Sequence, residues 1–431
     1  MPTARGWVVG LSGCALMILG TALGVRSVQQ LGIGLVILVV AAVVVVRLGK
    51  HDVGVVRSVQ PERTVSGQRV TVSLVLTNNG RGAAPLMLLE DRLPRQVSGR
   101  ARFALHGIEA AGSRELSFGL RPPRRGLFQV GPLEMAFVDP FGLAQIRSHS
   151  GEKTSFLAYP AVEPLNLPRD LGRQQSMVVS ALRRPTGAQG DEFYTLREFV
   201  QGDDLRKIHW ASTAKRRTYM IRQEETPWHT RATILLDDCM LRHEGSGGSA
   251  SFERAVEAAA SVVDLYHRSG YSSRLVTANG GTIDGARGAD HVHRCLDLLA
   301  TIQATRPEPG AADPLIARFA ELQSGPTAEG TLVFVGGSLF SGSVTGLAQC
   351  RRRYREVFCV SFPAHRFGSD TTRSRWDGEG ETVDMMRLLT RSGIRTIVLG
   401  PEEPLAPAWA SLSAAGRRGG ERTWERRPEP V

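Results

Sequence analysis

The sequence predicts a membrane-anchored α+β multidomain chain: an N-terminal transmembrane helical hairpin, an antiparallel β-sandwich, and a doubly wound α/β domain. Three observations carry this expectation. Two runs without charge, Trp7–Val25 and Leu31–Val46, extend for about 19 and about 16 residues, near the roughly 20 that cross a bilayer. From Val53 to Ile146 short segments alternate apolar and polar residues between turn-forming Gly, Pro and Asn, the period of half-buried strands. Beyond Arg231 apolar strands alternate with amphipathic helices, the order of a parallel sheet covered on both faces.

The hairpin turns at "RSVQQ". A cleaved signal peptide is the competing reading, because Ala22 and Gly24 resemble a small-x-small cleavage site. The second apolar run, and an n-region carrying only Arg5, weigh against it. Arg5 precedes the first span and Arg47, Lys50 and Arg57 follow the second, whereas the turn carries Arg26 alone. The positive-inside rule then places both ends and the soluble part in the cytoplasm, on the inner membrane.

In "RVTVSLVLTN", Val70, Val72, Leu74 and Leu76 point inward and Thr71, Ser73 and Val75 outward, and four further short runs complete a small sandwich. The expected boundaries are 7–46 for the hairpin, 53–147 for the sandwich, 148–225 for a connector, 231–400 for the α/β domain and 401–431 for a C-terminal helix with a disordered tail. The α/β domain reads "RATILLDD", "SSRLVTAN", "TLVFVGG", "EVFCVSF" and "RTIVLG" as strands, with helices between them.

The net charge of +11 and pI near 10.0 raise the question of nucleic acid. Only Lys50, Lys153, Lys207 and Lys215 among the 53 basic residues are lysines, a skew that fits codon bias. The arginines are scattered, aromatic residues are few, and no nucleic-acid-binding motif is present, so no nucleic-acid partner is expected. Attraction to an anionic membrane surface accounts for the charge as well. The five cysteines form no CxxC and sit mostly among apolar neighbours, as reduced thiols do.

Two constellations invite chemistry. In "GDEFYTLREFVQGDDLRKIHWASTAKR", Gly202 suits a turn, Asp203 or Asp204 suits the cap of a short helix carrying Arg206, Ile208 and Trp210, and Tyr219, Ile221 and Gln223 alternate as a strand. An enzyme would use Glu198 or Asp203 as base and Arg206 or His209 as its partner. The structural alternative has Glu192, Arg197, Glu198, Asp204 and Arg206 neutralising one another beneath Trp210, as buried charges must. No nucleophile lies in a strained turn there, and the structural alternative is preferred.

The second is "ILLDDCML", which ends a buried strand on Asp237 and Asp238, at the edge where doubly wound sheets place ligands. It resembles the first strand of a von Willebrand factor A-type domain, whose metal site begins Asp-x-Ser-x-Ser. Laid from Asp237, Cys239 and Leu241 stand where the hydroxyls belong, and Gly336 and Gly337 end a later strand where another Asp is usual. A thiol, a leucine and a glycine leave too few hard oxygens for Mg²⁺, so no metal and no cofactor is expected. In "DHVHRC", His291 and Cys295 share a helical face while His293 points away, which does not close a zinc tetrahedron.

The hairpin, "RRGLFQVGPLEMAFVDPFGLAQ", "LAYP" and above all the long motif at Gly190–Arg216 resemble the bacterial membrane family called domain of unknown function fifty-eight. The resemblance spans nearly the whole chain, from Trp7 to about Gly400. It implies a membrane-anchored protein with a degenerate von Willebrand A-like domain, associated with a MoxR-type AAA+ ATPase and other membrane proteins of the same operon, and it implies no established reaction. At the position of His209 the family pattern carries Asp, which weakens any carboxylate role there. The expected function is therefore a protein-interaction adaptor or assembly factor with no catalytic residues. The alternatives are a hydrolase-like enzyme using Asp203, Asp204, Arg206 and His209, and a metal-dependent binding domain at Asp237.

Overall fold

A computed structural model describes residues 1–48, 52–84, 86–97, 99–105, 107–168, 194–198, 208–224, 231–245, 250–308, 310, 312–324, 330–368 and 378–414. The chain divides into two compact units, Met1–Pro160 and Ala161–Val431.

The first unit opens with α1 (Ala4–Leu23) and α2 (Arg26–Leu48), both long and apolar enough to cross a membrane. They pack against each other so closely that a Cβ on Gly32 would lie 2.5 Å from the Met17 amide nitrogen. Small residues at such a crossing let the two backbones meet without side chains between them. Ten strands follow: β1 (Val53–Gln60), β2 (Arg63–Val65), β3 (Val70–Asn78), β4 (Leu86–Asp91), β5 (Ala101–Leu105), β6 (Ser113–Leu120), β7 (Gly126–Val130), β8 (Leu133–Val138), β9 (Gln145–Ser150) and β10 (Thr154–Tyr159).

The antiparallel sheet β1-β3-β6 faces two others, β5-β4-β8-β9 and β2-β10-β7. Val70, Val72, Leu74 and Leu76 of β3 are buried as the alternation requires. Leu74 and Leu76 join Met87, Leu133 and Phe137 in one core, and Val70 and Val72 join Phe128, Val130 and Phe156 in the other. β10 carries the β region past residue 147 to Tyr159, pairing antiparallel with β7 and parallel with β2.

In the second unit a hairpin pairs β11 (Tyr194–Glu198) with β12 (Met220–Glu224), with α3 (Trp210–Arg216) between them in sequence. Then come β13 (Arg231–Leu236), α4 (Ser251–Arg268), β14 (Ser272–Thr277), β15 (Thr282–Ala286), α5 (Ala289–Thr301), α6 (Pro314–Ser324), β16 (Thr331–Gly336), α7 (Ser341–Cys350), β17 (Glu356–Ser361), α8 (Gly378–Arg391), β18 (Arg395–Val398) and α9 (Leu405–Ala414). The sheet runs β15-β14-β13-β16-β17-β18, parallel except for the edge strand β15.

Alternate residues of the central strands serve opposite faces. Ile234, Leu236, Val333 and Val335 pack with α4, α5 and α9, and Leu235, Leu332 and Phe334 with α6, α7 and α8. Both faces are therefore covered, which is why these strands read as unbroken apolar runs. Strand order reverses between β13 and β16, and the crevice beyond their carboxyl ends is where sheets of this kind hold ligands. Residues 415–431, the expected tail, lie outside the described residues.

Candidate functional site

Asp237 and Asp238 leave β13 at that reversal point. Asp237 is 0 % exposed. Its Oδ1 accepts the Cys239 N–H at 3.1 Å and lies 3.5 Å from an Arg242 nitrogen, while Oδ2 has no hydrogen-bond partner among the described residues. A 3₁₀ turn at Met240–Arg242 folds the chain back, so that Arg242 returns beneath the strand end with only 2 % exposure. Its guanidinium reaches Asp237, Asp313 and, at 3.5 Å, the Ser343 hydroxyl. Its Cζ lies 5.6 Å from the centre of the Phe340 ring. A cation thus sits between carboxylates drawn from β13 and from the residue preceding α6, and that cation is a side chain.

Gly336 and Gly337 make room for this arrangement. A Cβ on Gly336 would stand 2.7 Å from the Asp237 Cβ, and one on Gly337 would collide with the Arg242 carbonyl. That carbonyl instead accepts the Ser338 N–H at 2.9 Å. Asp238 points the other way: its Oδ1 accepts the Asn279 N–H at 2.9 Å, and its carbonyl accepts the Thr305 N–H at 2.8 Å. Asp237 and Asp238 are therefore both at the expected edge, but only Asp237 joins the charged centre. The signals that would have disclosed the rest, Arg242 and Asp313, are separated by 71 residues.

His243 completes the floor. Its Nε2 lies 2.9 Å from the Asp237 carbonyl and its Nδ1 3.1 Å from the Ser251 Oγ, which also accepts the Glu244 N–H at 2.9 Å. These partners fit a neutral imidazole, with Nε2–H donating to the carbonyl and the Ser251 hydroxyl donating to Nδ1. Burial pushes Asp237 up to about 7, against the pull of Arg242 and the Cys239 N–H, and pushes His243 down to about 4.

The two shifts act on stability in opposite senses. Asp237 stabilises the fold fully below its unfolded value of about 4, and that contribution is lost as pH rises towards about 7. His243 stabilises it above about 6.5, and that contribution is lost as pH falls towards about 4. Their slopes, each up to about 1.4 kcal/mol per pH unit, offset one another over most of this window. The His243→Gln variant should therefore melt at progressively lower temperature as pH rises from about 4.5 to 6.5, and Asp237→Asn at progressively higher temperature. Scanning calorimetry across that range checks both; parallel profiles for the two variants would contradict the assignment.

Above this floor lies an open cleft of about 630 Å³, lined by Met240, Leu241, His243, Phe252, Arg306 and Phe340 among others. Met240, Leu241 and Phe340 are exposed, as is Ile316 on α6 beside Gly342. An apolar rim over a sealed polar centre can take an apolar group, with Arg306 available to an acidic one.

The long motif is placed only in part. Glu192, Gly202, Asp203, Asp204 and Arg206 lie outside the described residues, as does the side chain of Arg197. Glu198 ends β11 and is exposed. His209 caps the short helix that follows it: its Nδ1 accepts the Ser212 N–H at 3.2 Å. That helix begins at Trp210, and the imidazole nitrogen accepts an amide hydrogen as an Asp oxygen would; the start expected at Asp203 or Asp204 lies outside the described residues. Trp210, expected to cover a charge network, is 66 % exposed, whereas Ile208 and Met220 are the buried residues here. His291 is buried, with Nε2 2.6 Å from the Ser273 carbonyl and 3.6 Å from the Cys295 Sγ. That pair fastens α5 to β14. Among the described residues no group of three potential metal ligands comes together.

The family model "Protein of unknown function DUF58" matches residues 195–361, which supports that family. No curated protein sequence matches the chain. Solved structures with some likeness include the Pseudomonas fluorescens alkylpurine DNA glycosylase AlkC bound to DNA containing an abasic site analog, 12% identical over 30% of this chain and 34% of that one, with a TM-score of 0.19. The CARDB domain of a Pyrococcus furiosus protein, in complex with di-metal ions, is 12% identical over 25% of this chain and 86% of that one, with a TM-score of 0.19. The putative ApaA protein of Bordetella pertussis is 12% identical over 25% of this chain and 94% of that one, with a TM-score of 0.20. The chain spans about a third of the glycosylase's length, and scores this low bear on neither fold nor function.

Proposed function

We propose that this chain is a membrane-anchored protein-interaction adaptor, with a degenerate von Willebrand A-like domain whose partner docks at the carboxyl edge of the six-stranded sheet. The observation that carries this is the exposed apolar rim of Met240, Leu241 and Phe340 at the strand-order reversal, above a centre whose charge is already neutralised from within. Exposed apolar clusters rimmed by polar groups mark interaction sites, and the reversal point is where such sheets bind. The von Willebrand A-like reading is supported by the acidic pair ending the central strand β13 and by Gly336 ending β16 beside it. The guanidinium of Arg242 then stands where a cation would be needed, and the domain binds without one.

The partner class is a MoxR-type AAA+ ATPase, by the family resemblance. The length and apolar character of α1 and α2 support anchoring in the inner membrane, and the excess of positive flanks over the turn supports a cytoplasmic adaptor beside that ATPase. A metal-dependent binder is disfavoured, because Arg242 fills the space between Asp237 and Asp313. An enzyme is disfavoured because His209, one of the two partners offered for its base, holds a helix cap with Ser212 through Nδ1.

The test is Leu241→Glu in the full-length protein. Leu241 is about half exposed, so stability should stay within roughly 0.5 kcal/mol of the parent. Co-purification with the ATPase from native membranes should be lost. Undiminished recovery of the complex would move the docking site elsewhere.

A further inference from the structure

The turn between β8 and β9 is built to hold one aromatic ring outward. Asp139, 3 % exposed, accepts the Phe141 N–H on Oδ2 at 2.9 Å and the Ala144 N–H on Oδ1 at 2.5 Å, and its carbonyl accepts the Gly142 N–H at 2.9 Å. From the other side the N-terminal residues clamp it. The Thr3 N–H donates to the Leu143 carbonyl at 2.8 Å, the Thr3 hydroxyl to the Gly142 carbonyl at 2.6 Å, and the Gln145 N–H to the Met1 carbonyl at 2.9 Å. Phe141, at the tip, is 66 % exposed.

What surrounds the tip identifies what covers it. Leu143 and Ala144 are buried in a cluster with Ala42 and Val46, and Val9, Val39 and Val43 pack against it. A Cβ on Gly6 would collide with the Leu143 carbonyl. The turn therefore lies alongside the two helices near their open end. Val46 stands about 3 Å and Val39 about 13 Å from the end of α2, at 1.5 Å rise per residue. Arg5 and Arg47, both exposed, mark that same end of the hairpin with positive charge, as headgroup-level residues do. Next to them an aqueous Phe141 would stand bare in water within a few residues of an apolar span. A bilayer meeting the hairpin at this level would cover it.

We propose that the Asp139–Ala144 turn is a lipid-contacting wedge, inserting Phe141 into the boundary between headgroups and acyl chains beside the hairpin. The inference rests on the reading that α1 and α2 span the membrane. It gives the β-sandwich its own contact with the bilayer surface, besides its packing on the hairpin.

The experiment uses the full-length protein in phosphatidylcholine–phosphatidylglycerol nanodiscs. Cys14 is the exposed cysteine, and Cys239, Cys295, Cys350 and Cys359 are buried, so a Cys14→Ser background leaves introduced cysteines as the sites for a nitroxide label. One label goes at Phe141→Cys and a reference label at Ile18→Cys, an exposed position inside α1. Both replaced side chains face outward, so folding is not at stake. Relaxation by oxygen, which concentrates in lipid, is compared with relaxation by a water-soluble nickel chelate. Oxygen should dominate at both positions, less strongly at residue 141, which sits nearer the surface. Oxygen dominating at residue 18 while nickel dominates at residue 141 would overturn the wedge and leave the spanning hairpin standing. Nickel dominating at residue 18 would overturn the spanning reading, and the wedge with it.

Discussion

Replacing Arg242 with alanine is expected to destabilise the second unit by roughly 3–5 kcal/mol above about pH 7, where Asp237 is ionised, the loss that follows when one partner of a buried ion pair is removed. Such a loss is a large share of the stability of an ordinary domain. The reason lies in what would be left behind. Asp237 is wholly buried, with Oδ2 unpartnered among the described residues, and Asp238 and Asp313 add like charge around it. Without the guanidinium, Asp237 must take up a proton or admit water. Arg242→Lys should recover only part of the loss, since an ammonium is a point charge and cannot fork towards Asp237, Asp313 and Ser343 together. Arg242→Met combined with Asp237→Asn should be more stable than Arg242→Met alone, because the stranded charge is gone. Urea unfolding of the detergent-solubilised chain measures all of these; additive losses in the double variant would show that the two residues do not interact.

The first unit holds a second buried pair of comparable weight. The Arg57 side chain on β1 is 2 % exposed and that of Asp91 on β4 is 0 % exposed, and they meet through two nitrogen–oxygen contacts of 2.6 and 3.2 Å. Arg57 also donates to the Glu152 carbonyl, so one side chain joins strands of two facing sheets to the β9–β10 turn. Arg57→Ala should cost roughly 3–5 kcal/mol at neutral pH. Burial already pushes the Asp91 carboxyl above the ordinary range, and Arg57 is what pulls it back. In the variant Asp91 protonates more readily, so the loss should shrink as pH falls towards 5. Unfolding of parent and variant at the two pH values gives the comparison; a loss independent of pH would mean that Asp91 stays ionised without its partner.

Much of the architecture was legible because it follows from local pattern. β3 alternates strictly, and β13, β16 and β17 are apolar on both faces, so neither type of strand needs tertiary knowledge to be recognised. The edge strand β15, "TIDGA", is short and largely exposed and carries no such signal. β10 escaped for another reason: its pairing with β2 and β7 joins residues far apart in sequence. The same distance hid the charged centre. "ILLDDCML" announced acidic residues at a sheet edge, but only the 3₁₀ turn brings Arg242 back beneath Asp237, and only the sheet brings Asp313 to meet it. At the long motif, pattern reading favoured an aspartate cap and a charge network beneath Trp210. The aspartates lie outside the described residues, while His209 caps the helix that begins at Trp210 and the indole is exposed.

The measurement that tests the proposed adaptor role most directly is site-specific photo-crosslinking from Leu241 in native membranes, with the adduct identified by mass spectrometry. Leu241 sits on the rim of the cleft at the strand-order reversal, and Leu388, similarly exposed on α8, serves as the comparison. The expected result is a discrete adduct with a cytoplasmic AAA+ ATPase from Leu241 and none from Leu388, undiminished when divalent cations are chelated before irradiation. Equal labelling from both positions, or an adduct that disappears on chelation, would contradict a docking edge that binds without a metal ion.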